Sequence, residues 1–261
     1  MNPMLVPTWL TATRTRPLLV VGPSLGTSAA DLWGTCAQSL ASRFSVLAWD
    51  LPGHAGTPVG ESFDLADLAA AVVAMVDAVA PKERRFGYAG DSVGGAVGLQ
   101  LLLDAPARVS AAVLLSTGAR IGDESGWLAR AETVRIHGTA AVVAGSLERW
   151  FSATTLADRP ELVRSFATTL RAVDGEGYAQ VCEALAVFDV RSRLAAVGSP
   201  VLAVAGAEDV ATPVESLAAI ADGVAAGRLV ILEGVAHLPP VEAPAVVSDL
   251  LHDHLTTVNA I

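Results

Sequence analysis

Six short, almost continuously apolar runs are spaced along the chain, and segments with helical periodicity follow most of them. Successive side chains of a strand point to opposite faces of the sheet, so a continuously apolar run makes both faces apolar. Such runs predict strands that are covered on both faces, as in a parallel sheet. Strands that alternate with helices predict an α/β fold with a doubly wound, mostly parallel sheet. The predicted strands are Leu18–Val21, Val46–Asp50, Phe86–Ala89, Ala112–Leu115, Val201–Ala205 and Leu229–Leu232, and the clearest helical segments are Leu65–Ala80, Val93–Leu103 and Val214–Ala221.

The middle of the chain breaks this alternation. From Leu115 to Pro200 the sequence keeps helical periodicity but has no convincing strand, and the segment is too long for an ordinary crossover. We therefore expect a helical cap, residues 119–187, inserted into a sheet domain made of residues 1–118 and 188–261. Ligands of open α/β sheets bind beyond the carboxyl ends of the strands, so a cap at that edge would cover the site.

Charge and hydropathy narrow the class of partner. The chain has 17 Lys+Arg against 27 Asp+Glu, a formal net charge of −10, and no basic cluster of the kind that binds phosphate backbones. Its mean hydropathy is +0.49, but no stretch reaches the roughly 18 apolar residues of a membrane span. The N-terminus lacks the order of a secretory signal. The sequence predicts a cytoplasmic protein that binds neither nucleic acid nor a membrane.

The sequence also predicts no metal site. Cys36 and Cys182 are too few and too far apart for a zinc cluster or a disulfide framework, and we expect both to be buried small side chains. The histidines show no ligand spacing joined to cysteines or acids.

The motif G-x-S-x-G follows the third predicted strand and opens a helix. Residues 90–95 read Gly-Asp-Ser-Val-Gly-Gly. In a strand–turn–helix context the serine of this motif lies on a sharp, strained turn, and the residues two before and two after it must lack colliding side chains. Gly90 and Gly94 occupy those positions. Ser92 is therefore a candidate nucleophile, and a glycine-rich turn without chemistry is the alternative.

A serine nucleophile needs a base, and the base needs an acid that orients it. With this motif the chain order is serine, acid, histidine. Of the five histidines, only His237 follows an apolar strand at the end where catalytic loops lie. Asp209 follows the preceding strand, with Glu208 as its rival, and Thr212 is the expected cap of the next helix. The sequence thus predicts a triad of Ser92, Asp209 and His237.

Attack on a carbonyl places negative charge on its oxygen, which backbone N–H groups can receive. The residue after the nucleophile, Val93, is one expected donor. The second normally comes from the loop after an earlier strand, here Gly-Pro-Ser-Leu-Gly-Thr at residues 22–27, and we expect Leu25 to supply it. An ordinary turn is the alternative interpretation of that loop.

With these motifs in place, the chain resembles the α/β-hydrolase superfamily over nearly its whole length, and the segment Asp-Leu-Pro-Gly-His-Ala-Gly at 50–56 adds to the likeness. Within the superfamily it is most similar to the 3-oxoadipate enol-lactonases of aromatic catabolism. Relatives usually begin with a two-stranded antiparallel ribbon, whereas we predict little from residues 1–16 here. The resemblance to the lactonases rests on the segments and residues Ser24–Thr27, Gly90–Gly95, Ala119–Gly122, Trp127, Arg130 and Leu147–Phe151.

The resemblance implies a serine hydrolase that opens the ring of 3-oxoadipate enol-lactone to give 3-oxoadipate, without a cofactor. The partner would be this small-molecule lactone or another ester. A carboxylesterase and a cofactor-free perhydrolase would use the same triad and are alternatives, as is a ligand-binding pseudo-hydrolase. A dehalogenase fits less well, because its nucleophilic aspartate would stand at position 92.

The implied substrate carries a carboxylate, although the net charge of the chain repels anions. A local cation is therefore needed, and we expect Arg130 or Arg149 of the cap to supply it, with Trp127 and Trp150 as apolar walls. A solvated or salt-bridged surface role is the alternative for the arginines, and a place in the core of the cap is the alternative for the tryptophans.

Overall fold

The computed structural model describes residues 3–82 and 84–257. Within these residues a seven-stranded sheet forms the centre of the fold, and all six predicted strands are present and parallel to one another. The strands are β1 Thr8–Trp9, β2 Leu18–Gly22, β3 Ser45–Ala48, β4 Phe86–Asp91, β5 Val109–Leu115, β6 Val201–Gly206 and β7 Gly227–Leu232. Their spatial order is β1-β3-β2-β4-β5-β6-β7. The α/β class and the mostly parallel sheet are confirmed.

The first strand is the one that sequence patterning did not find. β1 is two residues long and pairs antiparallel with β3, with Thr8 opposite Ala48 and Trp9 opposite Leu47. Two residues are too short to show any periodicity.

Helices pack against the sheet, whose strands β2 to β6 are buried at every position. The three helices predicted from the sequence begin at the expected residues, because each starts where a cap or a turn precedes an apolar face. The helices are α1 Ala29–Leu40, α2 Leu65–Val79, α3 Val93–Asp104, α4 Glu124–His137, α5 Val143–Trp150, α6 Ala153–Asp158, α7 Pro160–Arg171, α8 Gly175–Val187, α9 Val214–Gly223, α10 Pro239–Glu242 and α11 Pro244–Thr257.

Helices α4 to α8 form the insert between β5 and β6, which we call the helical insert. Residues 116–200 are all described and contain no strand, as the sequence predicts. A small aromatic cluster stabilises the insert, since the rings of Trp150 and Phe151 meet that of Phe166 edge-on at centroid distances of 6.5 and 5.5 Å. The limits of the cap at residues 119 and 187 stay a prediction.

The strand order reverses beside β2, because β3 lies on one side of it and β4 on the other. Such a reversal opens a crevice beyond the carboxyl ends of the two strands. The loop after β2 and the turn after β4 therefore meet at one place, and these are the two segments that carry Leu25 and Ser92.

Both cysteines are free and buried, as the sequence predicts. Across residues 3–82 and 84–257, no helix is long and apolar enough to cross a bilayer.

Candidate active site

Ser92 lies on the sharp turn between β4 and α3. Its backbone angles are φ +54° and ψ −117°, a conformation that side-chain-bearing residues rarely adopt and that costs about 1–3 kcal/mol. Two hydrogen bonds hold the turn: the N–H of Ser92 donates to the carbonyl of Leu115 at 2.9 Å, and the hydroxyl of Thr117 donates to the carbonyl of Ser92 at 2.7 Å. The predicted nucleophile therefore has the strained geometry that its motif requires.

Gly90 and Gly94 make this turn possible because they have no side chains. A Cβ atom on Gly90 would lie 2.2 Å from the carbonyl oxygen of Gly94, and one on Gly94 would lie 2.6 Å from that of Pro23. The N–H of Gly94 donates to the same Pro23 carbonyl at 2.9 Å. The second glycine thus lets the loop after β2 approach the start of α3.

Ser92, His237 and Asp209 form a continuous hydrogen-bonded line. The Oγ of Ser92 lies 2.9 Å from Nε2 of His237, and Nδ1 of His237 lies 2.8 Å from Oδ2 of Asp209. All three residues are buried. Each follows the carboxyl end of a different strand, so the structure brings the three predicted residues together as a Ser-His-Asp arrangement.

Backbone and side-chain donors hold the Asp209 carboxylate. Its Oδ1 accepts from the N–H groups of Ala211 at 2.8 Å and Thr212 at 3.0 Å, and its Oδ2 accepts from the Thr212 hydroxyl at 2.7 Å. The expectation that Thr212 caps the next helix is wrong. That helix follows Pro213, and no side chain of the described residues caps it. The hydroxyl of Thr212 donates to the buried carboxylate of Asp209 instead of capping the helix.

These contacts decide the charge of Asp209. Burial alone would raise the pKa of its carboxyl group, but the electrostatic interaction with His237 and the hydrogen bonds from His237 and Thr212 lower that pKa below its usual value. The group is therefore ionised at neutral pH and can orient the imidazole. Its rival Glu208 is exposed.

Leu25 and Val93 offer two buried N–H groups beside the nucleophile. Leu25 lines the same cavity as Ser92, and Val93 is the first residue of α3, where an N–H has no partner within the helix. Among the hydrogen bonds of the described residues, neither N–H has an acceptor. Buried N–H groups are nearly always paired, so both are available to an oxyanion.

A cavity of about 440 Å³ lies above Ser92, between the sheet and the helical insert. The sheet side contributes Ser24, Leu25, Ser92 and His237. From the insert come all four predicted substrate-binding residues, Trp127, Arg130, Arg149 and Trp150, together with Tyr178 of α8.

Arg130 and Arg149 bring two positive charges to the insert side of this cavity. Arg130 donates from Nε to the Tyr178 hydroxyl at 2.8 Å and from a terminal nitrogen to Ser146 Oγ at 2.7 Å. Burial and then the repulsion of Arg130 lower the pKa of Arg149. Neither arginine is ion-paired with a carboxylate in the described part of the chain, so the salt-bridged alternative does not apply.

The two tryptophans differ in burial. Trp150 is 5% exposed and packs in the aromatic cluster of the insert, so that it is both a cavity wall and part of the core. Trp127 is half-buried, and its indole N–H donates to the carbonyl of Ile121 at 2.6 Å. This bond fixes the indole against the entry of the insert.

Asp91, next to the nucleophile, does not line the cavity. It is fully buried, and burial followed by the charge of Asp209 raises its pKa well above the usual value. Because Asp91 lies outside the cavity that Ser92 lines, it cannot replace Ser92 as a nucleophile, which removes the support for a dehalogenase.

Sequence reasoning missed Glu242 and His54. The Glu242 carboxylate accepts from the N–H of Ala236 at 2.7 Å and from that of Ser152 at 2.9 Å, so it ties the residue before His237 to the helical insert. His54 is completely buried and accepts from the N–H of Gly26. Each binds a backbone N–H far away in the chain, Ser152 at 90 positions from Glu242 and Gly26 at 28 positions from His54, and no spacing rule exists for such contacts, although His54 stands in the segment 50–56 that carries the superfamily likeness.

The fold and the site agree with the comparison to protein families. The model of the Alpha/beta hydrolase family matches residues 18–250, and the chain belongs to that family.

Within this family, the chain is similar to individual proteins over most of its length. The 3-oxoadipate enol-lactonase 2 of Acinetobacter baylyi is 33% identical over 88% of this chain and 85% of its own length. The crystal structure of the enol-lactonase from Burkholderia xenovorans LB400 superposes with a TM-score of 0.92 at 28% identity, covering 97% of this chain and 96% of that one. A hydrolase from Pseudomonas aeruginosa PA01 superposes with a TM-score of 0.90 at 32% identity, covering 96% of this chain and 94% of that one.

Proposed function

We propose that this protein is a serine hydrolase that opens the lactone ring of 3-oxoadipate enol-lactone to give 3-oxoadipate. One observation carries the proposal: the Ser-His-Asp line opens into a cavity whose other wall holds two arginines without acidic partners. The similarity to proteins named as enol-lactonases supports the same substrate. The proposed place of the reaction is aromatic catabolism by the β-ketoadipate route.

In the first step, Ser92 Oγ bonds to the lactone carbonyl carbon while Nε2 of His237 takes the hydroxyl proton. The charge that develops on the carbonyl oxygen is received by the N–H groups of Leu25 and Val93. Asp209 holds Nδ1 of His237 and stabilises the imidazolium.

In the second step, the ring C–O bond breaks and the leaving enol oxygen takes the proton from His237. This leaving group stays attached through the carbon chain of the acyl group and tautomerises to the ketone. His237 then takes a proton from water, whose oxygen bonds to the acyl carbon as Ser92 leaves and regains its proton. One water is consumed and one carboxylate is formed.

In this proposal, Arg130 and Arg149 attract and bind the carboxylate of the substrate. A chain of net charge −10 repels an anion at long range, and a charge-assisted contact with a guanidinium offsets this at short range. Arg149 is the better candidate for direct contact, because the donors of Arg130 are partly committed to Tyr178 and Ser146. Trp127 and Trp150 supply apolar walls for the ring.

The contribution of the helical insert supports the proposed division of the chain. We take residues 119–187 as a cap and residues 1–118 and 188–261 as the hydrolase core, because the triad comes from one part and both arginines come from the other.

The test is turnover of freshly generated enol-lactone by the purified protein, compared with p-nitrophenyl acetate. We expect a higher kcat/KM for the lactone, and a preference for the aryl ester would favour a carboxylesterase. Ser92→Ala should lower kcat by several orders of magnitude without unfolding the protein. The matched control Ser125→Ala, on the exposed face of α4, should keep full activity; a Ser92→Ala variant as active as this control would contradict the proposal.

A further inference from the structure

His54 is a buried histidine that takes no part in the triad. Its Nε2 accepts a hydrogen bond from the N–H of Gly26 at 3.1 Å, and its Nδ1 lies 2.9 Å from the carbonyl oxygen of Pro52. A carbonyl can only accept, so Nδ1 carries the proton and Nε2 does not. Both ring nitrogens are thus committed, and the ring is neutral.

Burial agrees with this assignment. His54 is completely buried, and the loss of solvation lowers the pKa of its imidazole to about 4. The ring therefore remains a hydrogen-bond acceptor for Gly26 throughout the neutral range.

Gly26 is the residue after Leu25, one of the two proposed oxyanion donors. The loop is closed at one end by Thr27, whose N–H and hydroxyl both donate to the carbonyl of Ser24, at 3.2 and 2.9 Å. Gly26 itself has φ +86°, which suits glycine. The bond to His54 fixes the planar Leu25–Gly26 peptide. The two bonds from Thr27 to the Ser24 carbonyl hold the preceding peptide, which carries the N–H of Leu25, so the orientation of that N–H depends on both.

One face of the imidazole lies against Tyr178, which lines the cavity. The rings of His54 and Tyr178 are nearly parallel, with 16° between planes and 6.2 Å between centroids. The hydroxyl of Tyr178 accepts the bond from Arg130 described above. His54 thus lies between the loop of one proposed oxyanion donor and the residues that support one of the cavity arginines.

We propose that His54 is a positioning residue, whose neutral ring holds the Leu25–Gly26 peptide and thereby orients the adjoining Ser24–Leu25 peptide, so that the N–H of Leu25 points to the oxyanion. The inference rests on the role proposed above for Leu25. It gives His54 an effect on the transition state without any contact with the substrate.

Two conservative variants separate this role from simple packing. In His54→Gln the amide oxygen can reach the place of Nε2 and accept from Gly26. In His54→Asn the shorter amide can replace only Nδ1, donate to Pro52 and leave the N–H of Gly26 unpaired. His254, which is also buried and whose Nε2 lies 3.4 Å from the carbonyl of Pro200, provides the control pair His254→Gln and His254→Asn.

The readouts are kcat and KM for p-nitrophenyl acetate and for the enol-lactone, the inhibition constant of phenylboronic acid, and the melting temperature. The boronate forms a tetrahedral adduct with a serine, so its inhibition constant reports on the oxyanion site without any substrate. We expect His54→Asn to lower kcat and to weaken boronate binding by about 10- to 100-fold, less than or equal to the loss of one oxyanion donor. KM should change little, and His54→Gln should restore most of the loss.

The inference is overturned if both His54 variants lose kcat equally, or if His54→Asn keeps kcat and boronate binding while its melting temperature falls. If His54→Asn does not fold, His54→Gln decides: a folded His54→Gln variant that loses tenfold in kcat contradicts the role. An enol-lactone that is not turned over, with the two variants still different on ester and boronate, would refute the proposed substrate and leave the positioning role supported.

Discussion

The Nε2 of His237 lies 2.9 Å from the Oγ of Ser92, although 145 positions separate the two residues in the chain. The strands that precede them, β4 and β7, are three strand spacings apart in the sheet, about 14 Å at the usual spacing. The loop after β7 must therefore run back across the end of β6. Gly206, the last residue of β6, permits this, because a Cβ there would lie 2.1 Å from the carbonyl oxygen of Ala236.

Gly206→Ala should therefore displace the loop that carries His237. We expect kcat to fall at least about tenfold, because small misplacements of a catalytic group are costly, and the melting temperature should fall as well. Steady-state kinetics and thermal unfolding check both effects. Gly34→Ala in α1 is the matched control: an added Cβ meets nothing within 4 Å there and should stabilise the helix by about 0.5–1 kcal/mol. Equal activity of the two variants would contradict the crossing-loop explanation.

Asp209→Asn should lower kcat by about 10⁴-fold, since an amide cannot hold the His237 ring in its productive tautomer as a carboxylate does. Glu208→Gln changes the neighbouring acid, which is exposed, and should leave kcat unchanged. Activity of both variants under identical conditions tests the assignment, and a large loss in Glu208→Gln would exchange the two roles.

Thr212→Val removes the hydroxyl that donates to Asp209 Oδ2 and keeps the volume of the side chain. We expect a loss of about 1.5–3 kcal/mol in unfolding free energy at pH 7, as for a hydrogen bond to a charged group. Because the folded-state pKa of Asp209 is lowered, the stabilisation is present above the unfolded pKa and is lost as pH falls through the folded one. Urea unfolding at several pH values should show the two proteins converging below about pH 4.

The sequence predicts best what is local. The sharp turn around Ser92 can be predicted because five consecutive residues form its motif. His237 and Asp209 can be predicted because each follows an apolar strand. The position of Thr212, just before a proline and a helix, is typical of a helix cap, but its hydroxyl donates to the carboxylate of Asp209 three residues earlier. His54 and Glu242 could not be found, since Gly26 and Ser152, which lie 28 and 90 positions away from them, come near only in the folded chain.

Arg149→Met should raise KM for the anionic enol-lactone by at least about tenfold, the size expected for one charge-assisted contact, and leave kcat nearly unchanged. KM for the uncharged p-nitrophenyl acetate should not change. Arg130→Met should have a similar effect on KM but should also lower stability, because the hydroxyls of Tyr178 and Ser146 lose their donor. Arg164→Met on the exposed face of α7 is the control, with 72% of its side chain accessible. If neither cavity variant alters KM for the lactone, the carboxylate is bound elsewhere.

The pH dependence of stability should reveal the buried neutral His54. Burial lowers its pKa to about 4 in the folded chain, from an ordinary value of 6.5, so the unfolded chain takes up a proton first as pH falls. The stability contributed by His54 is complete above pH 6.5 and is lost as pH falls through 4, by about 3 kcal/mol in all.

Asp50, in the same segment, acts in the opposite direction. Burial raises the pKa of its carboxyl group to about 6, so the stability it contributes is present at low pH and is lost as pH rises through 6. The pH profile of the wild-type protein alone would therefore conceal much of the His54 effect.

The difference in unfolding free energy between the wild-type protein and His54→Gln removes the contribution of Asp50, which both chains share. We expect this difference to favour the wild type increasingly from pH 4 to 6.5 and then to level off, and a difference that is constant over this interval would show that His54 is not held neutral by burial.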